Sequence, residues 1–131
     1  MTIDELEAGP DLDALIAEKV MGLVIDHDFR DDNSPVVRVV SADVTFIEPC
    51  PGYSTNIAAA WEVVEKLKSL DWEIEVSVTC KLPDGDSETY YCGLQQGDDN
   101  APWSKDYRYL QTWAPMAPLA ICRAALKAIH A

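Results

Sequence analysis

Apolar residues recur every three or four positions in three stretches of the chain, and this spacing predicts three helices. The first covers about residues 10–21, opening at Pro10 and stopping at Gly22. Ser54 or Thr55 is the predicted cap of the second helix, and the third opens at residues 117–118. The predicted apolar sides are formed, in order, by Leu12, Leu15, Ile16 and Val20, by Ile57, Ala60, Trp61, Val64 and Leu67, and by Leu119, Cys122, Leu126 and Ile129.

The segments between these helices carry the patterns of strands. Residues 36–48 are rich in β-branched side chains and predict one strand, or two strands broken near 41–43. Residues 72–81 alternate between apolar and polar positions, which is typical of a strand with one solvent-facing side. Residues 107–113 predict a further strand or an aromatic-rich extended segment, and the polar stretch 26–35 predicts a loop.

A hairpin is predicted between residues 72–81 and 88–95, with its loop at 83–87. Matching apolar with apolar positions places Tyr90 opposite Cys80, Cys92 opposite Val78 and Leu94 opposite Val76. Helices and hairpins in this order predict a single α+β domain over residues 1–131, in which three helices pack on an antiparallel sheet of about four strands. Residues 1–9 form an N-terminal segment with a capping-box pattern, consistent with a short helical turn.

The charge is strongly negative and unevenly distributed. The 131 residues include 23 acidic and 10 basic side chains, a net charge of −13. Residues 1–100 hold 22 acidic and 6 basic side chains, whereas residues 101–131 carry a small positive excess. Because phosphate backbones are bound through Lys and Arg, a general nucleic-acid or anionic-membrane binder is disfavoured. An acidic body can instead attract proteins that hold nucleic acid, or the charge can serve only solubility.

Candidate enzyme chemistry is sparse. Nucleophilic catalysis needs a base, and His27 and His130 are the two histidines, one in the polar loop and one at the penultimate position. We therefore expect a protein that is not an enzyme. The N-terminal sequence lacks a signal-peptide pattern and no apolar run reaches membrane-spanning length, so we expect a cytoplasmic protein. The four cysteines lack metal-site spacing and predict free thiols, with neither a cofactor nor a metal.

Three groups of residues are candidates for binding. Tyr53, Ser54, Thr55 and Asn56 lie at a helix start, where backbone amides hold an anion or, alternatively, the same residues serve as a cap. Together with Lys105 and Arg108 they form a possible small-ligand or nucleotide site. The acidic residues of the polar loop fit no calcium-loop template and are a candidate interface or a solvated loop. These are Asp26, Asp28, Asp31 and Asp32.

Aromatic residues interleaved with basic ones make the third candidate. Trp103, Tyr107, Tyr109 and Trp113 are of the residue types that anchor protein interfaces, or half of them simply lie on the sheet. Both interpretations fit the alternating sequence of residues 106–113.

Three segments taken together resemble one protein family. LDALIAEKVMG at 12–22, YSTNIAAAWEVVEKL at 53–67 and APLAICRAALKA at 117–128 are similar, in this order, to the phage ABA sandwich domain, found in small proteins of bacteriophages and prophages. The resemblance covers roughly a third of the chain. It implies an α/β/α-type sandwich and a phage accessory protein, and it brings no established activity.

Resemblance and charge together predict a non-enzymatic protein that binds and inhibits a host factor in the bacterial cytoplasm. The predicted partner has a basic nucleic-acid-binding surface, and the action is counter-defence, such as anti-CRISPR-like mimicry of nucleic acid. The alternatives are a nucleotide-binding sponge and a structural or interaction module, and a homo-oligomer is possible.

Overall fold

The computed structural model describes residues 2–31, 34–40, 45–79, 89–97, 103–104 and 107–130. Within these ranges the chain forms a short 3-10 helix (Ile3–Glu5), three α-helices and six strands. The helices are α1 (Pro10–Lys19), α2 (Ile57–Ser69) and α3 (Ala117–His130). The strands are β1 (Val24–Asp31), β2 (Ser34–Val40), β3 (Thr45–Pro49), β4 (Glu73–Thr79), β5 (Thr89–Gln96) and β6 (Arg108–Ala114).

The α+β class and the three helices are confirmed, whereas the strand arrangement differs from the prediction. Instead of one sheet of about four strands, the described residues form two antiparallel sheets of three, in the orders β1-β2-β3 and β4-β5-β6. The predicted loop at 26–35 is wrong, because β1 continues to Asp31 and pairs with β2 through an irregularity between Asp26 and Arg30. Edge strands commonly carry charged side chains, so the sequence of such a strand resembles that of a loop.

The hairpin register is also corrected. β4 and β5 pair with Val78 opposite Tyr90, Val76 opposite Cys92 and Ile74 opposite Leu94, a shift of two residues from the prediction. A two-residue shift keeps every side chain on its own face, so the apolar pattern is satisfied equally well by both registers. Cys80 lies outside the described residues, as does the predicted hairpin loop.

Local chemistry explains where the helices begin and end. Pro10 opens α1, and Gly22, with φ of 72°, follows its last turn. The predicted caps of α2 are wrong, because Asn56 is the N-cap and its side-chain oxygen accepts hydrogen bonds from the amides of Ala58 (2.9 Å) and Ala59 (3.3 Å). Asp71 ends α2 in the left-handed region, with φ of 69°.

The helices meet in the order α1–α3–α2, with α3 in contact with both of the others. α1 packs on β1 and β2, while α3 packs on β5 and β6 and α2 on β4. α3 is buried almost all round, because Ala120, Ala124, Ala125 and Ala128 let neighbours approach closely on several sides. Ile129, which was predicted to be buried, is exposed in the last turn of α3, as is His130. None of the helices in the described ranges has the length and apolarity required to cross a bilayer.

Candidate functional site

The predicted helix-start site is closed by internal contacts. Tyr53 and Ser54 are buried, and the Ser54 hydroxyl donates to Asp13 Oδ1 at 2.6 Å while the Ser54 amide donates to the same oxygen at 2.8 Å. The Gly9 amide donates to Ser54 Oγ at 2.9 Å. These three hydrogen bonds join the start of α1 to the segment before α2, so Ser54 holds two parts of the chain together.

The rest of that predicted site is not assembled either. Asn56 occupies the first free amides of α2, which is the capping alternative, and Thr55 is exposed. Arg108 lies at the opposite end of β6 from Pro115 and Met116, which border Ile57 at the start of α2. Six strand steps therefore separate Arg108 from this end of β6, about 20 Å. Lys105 lies outside the described residues.

The basic side chains of α3 serve structural contacts. Arg123 donates to the carbonyl of Leu6 through Nε (2.9 Å) and Nη2 (2.6 Å), and to the carbonyl of Trp113 through Nη1 (3.1 Å). Lys127 Nζ donates to the carbonyl of Gln111 at 3.2 Å. Arg123 and Lys127, two of the four basic residues behind the predicted positive excess, thus fasten α3 to β6 and to the N-terminal segment.

The three described cysteines, Cys50, Cys92 and Cys122, are poor nucleophiles. Burial raises the pKa of Cys50 to about 11, with a further contribution from Asp13, and burial raises the pKa of Cys92 to about 12. The pKa of Cys122 is raised as well, first by burial. Activated thiols have depressed pKa values, so these three remain protonated at neutral pH. In the described part of the chain, no three His, Cys, Asp or Glu side chains come together as metal ligands.

Three of the four acidic residues predicted as an interface belong to β1. The backbone of Asp26, Asp28 and Asp31 belongs to this strand, their side chains are not among the described ones, and Asp32 lies outside the described residues. The exposed carboxylates that the structure does describe are spread over several elements. They include Glu5, Glu7 and Asp11 near the N-terminus, Glu62 and Glu65 on α2, and Glu73 and Glu75 on β4.

Two of the four predicted aromatic residues lie on the outer face of the second sheet, opposite its helix-covered side. Trp113 and Tyr109 alternate on β6 with Thr112 and Ala114, which are buried. Thr112 Oγ1 donates to the carbonyl of Ala120 at 2.7 Å, which identifies the buried side as the one facing α3. Trp103, in a turn, is 82% exposed, and Tyr107 is half-buried just before β6.

Tyr91, which the sequence analysis did not single out, joins these two aromatics. Its ring lies 5.4 Å from that of Trp113 with the planes inclined by 54°, and its hydroxyl hydrogen-bonds with that of Tyr109. Partial burial and this hydrogen bond raise the pKa of Tyr91 to about 12. To reach Tyr109, the side chain crosses Gly93, where an added Cβ would lie 2.5 Å from the Tyr91 oxygen. A glycine in the middle of a strand, as at 93, is the sequence signal for such a close approach.

Acidic side chains border the aromatic group. Across the sheet, Glu73, Gln95 and Tyr109 form one row. The next row is Glu75, Gly93 and Gln111, and a shallow depression of about 150 Å³ lies over Gly93. We call this surface the aromatic–acidic face. Its members are Glu73, Glu75, Tyr91, Gln95, Tyr109 and Trp113. It combines exposed rings with carboxylates, which suits contact with a basic protein surface.

Comparison with known proteins places the chain in a family. The family model of the phage ABA sandwich domain matches residues 14–126, which contain α2, all six strands and most of α1 and α3. No curated protein and no solved structure matches the chain. Because the family match spans well over half of the sequence, the chain belongs to the phage ABA sandwich domain family.

Proposed function

We propose that this phage-family protein is a non-enzymatic accessory protein that binds and inhibits a host protein in the bacterial cytoplasm. The aromatic–acidic face carries the proposal. Half of the surface of Trp113 is exposed there, on the same sheet face as Tyr109, Glu73 and Glu75. Exposed tryptophan and tyrosine are unfavourable in water and are the residues that most often anchor protein interfaces.

The negative charge of the protein indicates a partner with a basic surface. A protein with a net charge of −13 is drawn towards a basic surface at long range, and the carboxylates of the face pair with Lys or Arg at contact. A host nuclease or another nucleic-acid-binding defence protein has such a surface. Occupation of that surface would exclude nucleic acid, which is counter-defence by charge mimicry.

The absence of enzymatic activity is part of the proposal. Ser54 is buried and held by Asp13 and Gly9, and the pKa values of the described thiols are raised, so none of these groups is an accessible, activated nucleophile. A partner-binding role needs neither group.

The test is affinity capture from a bacterial lysate at low salt, followed by assay of the captured protein. Trp113→Ala should abolish capture, whereas Val24→Ala, which removes an exposed apolar side chain from the first sheet, should not. The captured protein should carry a basic surface, elute at high salt, and lose nucleic-acid binding when the purified wild-type protein is added. Capture that survives Trp113→Ala, or partners without a basic surface, would overturn the proposal. A thermal-shift panel of nucleotides tests the small-ligand alternative, because a bound nucleotide raises the Tm.

A further inference from the structure

The apolar side of α2 is only partly covered by the rest of the molecule. Ala60, Val63 and Leu67 are buried, but Ile57 and Trp61, which were predicted to be buried with them, are 53% and 51% exposed. Between α2 and β4 lies an open groove of about 730 Å³. Its apolar walls are Trp61, Val64, Trp72, Ile74 and Val76. Such a groove is unfavourable in water, and nothing in the described ranges fills it.

The same groove borders an edge of the second sheet. β4 is the outermost strand of this sheet, so one side of its backbone is left without a partner strand among the described residues. Edge strands are commonly blunted by proline, charged side chains or a bulge. β4 has no proline, its seven pairs with β5 run without a register shift, and its two charges, Glu73 and Glu75, repel an acidic strand but not a basic one. A regular edge beside an apolar groove is a template for strand addition.

The pleat of β4 determines the chemistry of an added strand. Side chains of neighbouring strands alternate between faces together, so every second residue of the added strand would enter the groove beside Trp61. The residues between them would lie on the outer face beside Glu73 and Glu75, both exposed. Lys68, at one end of the groove, is already paired with Glu65 at 3.7 Å.

We propose that the β4 edge and the adjoining groove bind an extended segment of another protein in which apolar residues alternate with Lys or Arg. A second copy of this chain fits less well, because its β4 would bring the same glutamates and no cation to pair with them. The proposal concerns a second surface. It shares Glu73 and Glu75 with the aromatic–acidic face but needs neither Tyr109 nor Trp113, so the two can fail separately.

Fluorescence anisotropy of labelled synthetic peptides tests the proposal without a host protein. The probe is a capped peptide of about nine residues alternating Lys and Val, a length sufficient to cover β4. One control peptide alternates Glu and Val. Another has the Lys and Val residues of the probe grouped in two blocks, with the same charge and composition. The alternating Lys–Val peptide should bind at least about tenfold more tightly than either control.

Variants assign the binding to the edge. Trp61→Ala should weaken binding of the Lys–Val peptide about tenfold, whereas Trp113→Ala should leave it unchanged. Replacing Glu73 and Glu75 together by Lys, two exposed substitutions, should remove the preference for the Lys–Val peptide over the Glu–Val peptide. This loss of preference keeps the test decisive even where Trp61→Ala disturbs folding. Equal binding of the block peptide, or an unchanged preference in the double variant, would overturn the proposal. Sedimentation showing a dimer that Trp61→Ala dissociates would also overturn it, because a second copy would then occupy the edge.

Discussion

Ser54→Ala is the substitution that best separates a structural role for the segment before α2 from a ligand-binding role. The Ser54 hydroxyl donates to buried Asp13 at 2.6 Å and accepts from the Gly9 amide at 2.9 Å. A hydrogen bond to a charged group contributes about 1.5–3 kcal/mol, and the variant leaves both partners short of one bond. We expect the free energy of unfolding to fall by about 2–3 kcal/mol.

Urea denaturation followed by circular dichroism measures this change. For a chain of this length, the loss corresponds to a Tm decrease of about 8–12 °C, at roughly 4 °C per kcal/mol. Thr55→Ala is the matched control, since it removes the hydroxyl of the exposed neighbouring residue and should change stability by less than about 0.5 kcal/mol. The double variant Ser54→Ala/Asp13→Ala should lose about 1–2 kcal/mol less unfolding free energy than the sum of the losses in the two single variants.

The reasoning is refuted if Ser54→Ala is as stable as the wild type, or if the two substitutions are strictly additive. Either result would mean that the contact with Asp13 contributes nothing to folding.

Four further substitutions test other parts of the structure. Asn56→Ala removes the N-cap of α2 and should lower stability by about 1 kcal/mol in urea denaturation, with Asn56→Asp close to the wild type. Asp71→Gly should raise stability by about 0.5–1 kcal/mol, because glycine adopts a φ of 69° without strain; an unchanged urea midpoint would contradict this. Burial raises the pKa of Tyr53 to about 12, so the stability associated with its protonated form is complete below pH 10 and is lost as the pH rises towards 12. Tyr53→Phe should therefore make the alkaline decline in unfolding free energy shallower, and an identical decline would exclude this cause. Gly93→Ala should displace Tyr91 and change the near-ultraviolet circular dichroism while the Tm changes little, because the crowded atoms are the far end of a mobile side chain.

Parts of the binding surface could be inferred from sequence, and parts could not. Tyr109 and Trp113 were selected by residue type and alternate spacing, and both lie on the exposed sheet face. Tyr91 was overlooked because its role depends on two neighbouring strands and on the absence of a side chain at Gly93. Pairing across strands is a long-range property, which the spacing within one strand does not encode.

The sequence by itself determined the three helices and, apart from β1, which it predicted as a loop, the approximate positions of the strands. Helical spacing, Pro10 and the residues around Gly22 are local signals, since a helix is built from contacts three and four residues apart. The α+β class and the family resemblance follow from the order of such segments. The acidic charge, read from composition alone, limited the classes of partner without assigning them to a face.

Only the tertiary structure decided the strand register, the hydrogen-bond partner of Ser54 and which apolar side chains are buried. The β4–β5 register escaped prediction because alternation has a period of two, so registers that differ by two residues are equivalent to it. Ser54 is buried because Asp13, 41 residues away, supplies its hydrogen-bond partner. Ile57 and Trp61 have the spacing of core residues and are exposed because no described element covers that side of α2. Burial depends on which surfaces the fold brings together, and the spacing of apolar residues along one helix cannot specify its neighbour.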